Sequence, residues 1–152
     1  MRDVSILRLH LLRAAYLLIL VGMGSQIWPL LLDPPAAVDH YRSVVWSFLG
    51  ALTLLCVLGI RYPLQMLPLL LFELTWKVIW VLAIGLPRRM AGPLQGDFAD
   101  TWVACVFGIV IVTLVIPWGY VVARYLRQPG DRWTNRAAAR SAAASREAAA
   151  TP

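Results

Sequence analysis

The chain has 152 residues, 60% of them hydrophobic and 14% charged, and carries a formal net charge of +6. Soluble domains use about 45–50% apolar and roughly 25% charged residues, and a domain this small buries too little surface to hide such an excess. The mean hydropathy of +0.69 therefore excludes an ordinary water-soluble globule, and the surplus apolar surface must face lipid.

Four apolar stretches, 14–32, 44–60, 68–86 and 101–123, are bounded by charge, proline or glycine. Each is near the length that crosses a hydrocarbon core of about 30 Å at about 1.5 Å per residue. The pattern predicts an all-α, four-helix transmembrane bundle over residues 1–133 and a flexible, basic Ala/Arg-rich cytoplasmic tail over 134–152.

The first stretch follows Arg2, Arg8 and Arg13. These resemble the basic region of a signal peptide, but the apolar run continues through Trp28 to Leu32, longer than such a peptide needs. Asp33-Pro34-Pro35 then ends the helix, because two prolines pin the backbone. In the second stretch Ser47 and Ala51 form a small-residue pair, as Ala104 and Gly108 do in the fourth. Such pairs let helices approach closely, in a compact bundle or a homo-oligomer.

The third stretch holds Glu73 and Lys77, the ionisable side chains that lie well inside an apolar span. Charged groups inside a membrane are costly, which makes them candidates for function. They stand at i and i+4 with the acid first, the order that favours mutual neutralisation on one helix. Trp76 and Trp80 extend the same stripe, which should face the bundle interior. With a helix start near Pro63, Glu73 falls about 15 Å along it, and Pro68 should kink the helix and free a carbonyl. Two readings stay open: a proton or cation relay with an aromatic wall, or a self-compensating pair that sets helix packing.

Gly92-Pro93 and Gly96 read as turns in the following loop, 87–100, without a regular element. Cys56 and Cys105 are expected at different depths, about 12 Å apart along the membrane normal, too far for a disulfide within one chain. They read as small buried hydrophobes. His10 and His40 fall at opposite faces and cannot share a metal. No phosphate-cradling glycine loop, zinc motif or catalytic serine motif is present, so no metal is implied, the cofactor is left unknown and the reading leans away from an enzyme.

With the N-terminus inside, ten arginines fall on inner segments and three, Arg42, Arg88 and Arg89, on outer loops. The positive-inside rule then puts both termini in the cytoplasm. Trp28, Trp46 and Trp102 fall at the outer interface and Tyr16, Tyr62, Trp118, Tyr120 and Tyr125 towards the inner one, as aromatic anchors do. The tail arginines, Arg132, Arg136, Arg140 and Arg146, suit the topology rule and also contact with anionic lipid. Nucleic-acid binding is not expected, since nothing folded or aromatic accompanies them.

The segment Arg61-Tyr62-Pro63-Leu64-Gln65-Met66-Leu67-Pro68-Leu69-Leu70-Leu71-Phe72-Glu73-Leu74-Thr75-Trp76-Lys77, with Ile116-Pro117-Trp118-Gly119-Tyr120 and Pro129-Gly130-Asp131-Arg132-Trp133, resembles a family of small uncharacterised bacterial membrane proteins. The resemblance runs from the first span to about Trp133 and implies four transmembrane helices in a bacterial inner membrane, without an activity. In size and helix count the chain is also similar to DoxX-like proteins, an analogy of fold alone. The function the sequence favours is a non-catalytic subunit or scaffold of a membrane complex, with lipid, a membrane partner protein or further copies of itself as partners. A small transporter or ion-conducting oligomer built on Glu73, Lys77, Trp76 and Trp80 is the alternative. A membrane-embedded redox or lipid enzyme comes third, because the parts it needs are missing.

Overall fold

The computed structural model describes residues 4–128. The tail 134–152 with its arginines, Arg2 and the motif Pro129-Gly130-Asp131-Arg132-Trp133 lie outside the described residues. Every regular element among the described residues is helical. They are α1 (Ile6–Leu32), α2 (His40–Arg61), α3 (Leu67–Trp80), a π-helical stretch (Val81–Gly85), α4 (Leu86–Ala91), α5 (Asp97–Val115) and α6 (Trp118–Val121). Four helical segments are long and apolar enough to cross a membrane, the third running unbroken from Leu67 to Ala91. The protein is a multi-pass membrane protein.

Helix ends follow local chemistry. Ser5 caps α1 by accepting from the Arg8 N–H, and Asp39 caps α2 by accepting from the Tyr41 and Arg42 N–H groups. Gly96, at φ 57°, turns the chain into α5, whose first turn carries Asp97 and Asp100 at the positive end of the helix dipole. On exposed faces, Ser43, Ser47 and Thr75 donate to carbonyls three or four residues back on their own helix. A hydroxyl facing hydrocarbon has no water to bond, so the preceding turn supplies its partner.

Four boundaries differ from the sequence expectation; the first is that α1 starts at Ile6 and not at 14. α3 starts at Leu67, not near Pro63, so Pro68 stands in its first turn, where a missing N–H costs no helical bond. It makes no kink, and Glu73 lies about 9 Å from the helix start instead of about 15 Å. The loop expected over 87–100 is partly helical, because α4 continues the third span as far as Ala91. Pro87 cannot donate to the Ala83 carbonyl and its ring crowds that group; the wider π turn, in which the Leu86 N–H reaches back to Val81, accommodates it. The fourth stretch, read as running to residue 123, breaks at Ile116 (ψ 126°), which Pro117 forces out of helical geometry.

α1 and α2 form the most extensive helix pair, α3 and α5 the next, and α2 touches α3 only slightly. The pair α1/α2 is antiparallel: Arg13 Nε donates to the Ile60 carbonyl and Trp28 Nε1 to Thr53 Oγ1. Tyr16 is fully buried and donates to the Pro63 carbonyl at 3.1 Å. Trp28 and Tyr16 are thus interhelical ties and not only interfacial anchors. The core gathers Leu12, Tyr16, Cys56, Leu67, Leu70, Val112 and Ile116, where α1 and α3 begin and α2 and α5 end. A second unit begins at Val122; within it, residues Val122–Arg127 form a π-helical stretch and Arg124 Nη1 donates to Gln128 Oε1.

Candidate functional site

Glu73 and Lys77 are the buried charged residues among those described, with 2% and 7% of their surface exposed. One turn of α3 separates them, and Lys77 Nζ donates to Glu73 Oε1 at 2.6 Å. The second carboxylate oxygen, Oε2, accepts from the Trp76 indole N–H at 2.5 Å. Lys77 Nζ also lies 4.1 Å from the Trp76 ring centroid, within reach of a cation–π attraction. The spacing read from the sequence thus produces the contact: i and i+4 place acid over base, and i+3 brings the indole to the oxygen left over.

Gly108 on α5 completes the site. A Cβ there would stand 2.5 Å from Lys77 Cε and 3.0 Å from Cδ, so the lysine stem lies directly on the α5 backbone. Of the small-residue pair Ala104/Gly108, Gly108 is therefore used inside the chain, as the seat of the lysine, and Ala104 lies exposed. Ser47 and Ala51 also lie exposed, on α2. Gly108→Ala should shift Lys77 off its carboxylate and lower the thermal midpoint in detergent, while Gly22→Ala, where an added Cβ meets nothing within 4 Å, should not. An unchanged midpoint for Gly108→Ala would show that the stem bends away freely.

Trp80 belongs elsewhere. Its ring stacks on Phe98 at 6.4 Å, and Arg88 lies 4.0 Å from the centre of the same Phe98 ring. Gly85 sits between Trp80 and Trp102, where a Cβ would come within 2.9 Å of both rings. The stripe Glu73, Trp76, Lys77, Trp80 thus divides: three residues form the polar cluster, and the fourth joins an aromatic cluster that fastens α3 and its π extension to α5. The π turn that allows this had no counterpart in the sequence reading.

Cys56 on α2 and Cys105 on α5 are buried and free. Among the described residues no group of three His, Cys, Asp or Glu side chains is placed to hold a metal ion. No buried side-chain nitrogen or oxygen among them lacks a hydrogen-bond partner. Compared with family models, curated proteins and solved structures, the chain matches none.

Proposed function

We propose that the protein is a non-catalytic subunit or scaffold of a membrane complex in a bacterial inner membrane. The observation that carries this reading is the closure of the polar cluster on itself. Both oxygens of Glu73 are engaged, by Lys77 and by Trp76, and the lysine stem is seated on Gly108. A relay or binding site needs a polar group with capacity to spare, whereas a satisfied buried pair serves to fix how helices meet. An exposed seam on α5 supplies a docking face: Val103, Phe107, Val110 and Leu114 are each more than half exposed and follow the four-three-four spacing of a packing helix.

The test is purification of the full chain from native membranes in mild detergent. A stoichiometric protein partner, lost at least tenfold when Phe107 and Val110 are both changed to Ala, supports the subunit reading. Proton or ion flux in liposomes that disappears in a stably folded Glu73→Gln, Lys77→Met double variant would replace it with the transporter reading.

Both termini are placed in the cytoplasm on the ten-to-three split of arginines. Reporter fusions after Arg136 are expected to read cytoplasmic, and fusions within 35–39 or 92–97 external. A cytoplasmic signal from either loop would overturn this topology.

A further inference from the structure

The bundle is packed at the end where α1 and α3 begin and parts between α2 and α3 towards the other. The opening there is an apolar groove of about 280 Å³, lined from α2 by Val44, Val45, Phe48, Leu49 and Leu52 and from α3 by Phe72 and Trp76. Its wall offers almost nothing but carbon, because the one polar atom of Trp76 is committed to Glu73. A ligand held here is held by hydrocarbon. Aliphatic and aromatic carbon lines both sides of the groove, which suits a chain of methylenes.

Charge at the mouth of the groove selects among lipids. Arg42 precedes Val45 by three residues and therefore lies on the same face of α2, one turn nearer the membrane surface. It is exposed and has no ion pair among the described residues. Tyr41 beside it is 79% exposed and brings a phenol hydroxyl to the same level. The nearby Asp39 carboxylate is used on the backbone N–H groups of these two residues, which leaves the guanidinium fork open to a phosphate.

We propose that the groove between α2 and α3 holds one acyl chain of an anionic phospholipid whose phosphate is bound by Arg42. The chain lies against the Trp76 ring, which also carries the Lys77 ammonium, so the bound lipid closes the apolar wall around the ion pair. Arg42 sets the choice of headgroup; Phe48, Phe72 and Trp76 set the place of the chain.

The full chain in liposomes, exposed to phosphatidylglycerol with a photoreactive diazirine in one acyl chain, tests this against phosphatidylcholine bearing the same chain. Peptide mapping should find adducts on Phe48, Phe72 and Trp76 at least threefold above those on the exposed Leu54 and Val57. Phosphatidylglycerol should label the groove at least threefold more than phosphatidylcholine, and Arg42→Gln, an exposed change that leaves the bundle intact, should abolish that preference. Leu49→Trp, which fills the groove, should suppress labelling with either lipid. Even labelling of groove and outer faces would mean bulk lipid contact and overturn the proposal. So would equal labelling by the two lipids in the unaltered chain, or cross-links from the groove to a second copy in place of lipid adducts.

Discussion

Lys77→Met is expected to lower the stability of the protein by about 3–5 kcal/mol, the usual cost of removing one partner from a buried pair. The substitution roughly keeps the volume of the lysine stem against Gly108, so the loss reports the missing charge and not a cavity. It leaves Glu73, 2% exposed, with the Trp76 N–H as its remaining partner. Glu73→Gln should cost a comparable amount by leaving an ammonium without its counter-charge. The double variant should regain much of the loss, since two neutral side chains impose no charge on the interior. Unfolding midpoints of the three variants, in detergent and in lipid, measure the coupling directly. Additive losses would mean that the two side chains do not interact, and would remove the ground for treating the cluster as one structural unit.

The parts of this site that sequence reveals are those carried by a single helix. Glu73, Trp76 and Lys77 lie within five residues, so helical period alone brings them together. Four crossings are equally legible, because the bilayer sets a minimum apolar length that a short chain either meets or does not. Contacts between helices are another matter. That Gly108 receives the lysine stem, that Trp28 donates to Thr53 and that Tyr16 reaches Pro63 depends on how distant segments slide past one another, and single-helix periodicity contains no such information. Trp80 shows the same limit within one helix. It has the right spacing for the polar stripe, yet Phe98 and Gly85 draw it towards α5. Pro117 was a readable stop signal, overshadowed by the apolar run on either side of it. The groove was invisible for a further reason: it arises from the slight contact between α2 and α3, a property of neither helix alone.

Gly59→Ala is expected to destabilise the protein by about 2–4 kcal/mol, although alanine is the better helix former by about 1 kcal/mol. A Cβ at Gly59 would lie 2.6 Å from Tyr16 Cε1 and Cγ, inside the ring's own contact distance. The ring has nowhere to move, because Tyr16 is fully buried and its hydroxyl is tied to the Pro63 carbonyl. Either α1 and α2 separate, opening the longest interface of the bundle, or the tyrosine leaves its carbonyl unpaired in a dry interior. Gly22→Ala is the matched control. It makes the same substitution on α1, where an added Cβ meets nothing within 4 Å, and should leave the midpoint unchanged or raise it. Opposite signs for the two substitutions isolate packing from helix propensity, since propensity contributes equally to both. Tyr16→Ala and Gly59→Ala together should cost less than the sum of the two single losses, because Tyr16→Ala removes the ring atoms that the new methyl meets. If Gly59→Ala instead behaves as Gly22→Ala does, Tyr16 does not lie on Gly59, and the antiparallel register of α1 against α2 is wrong by at least a residue.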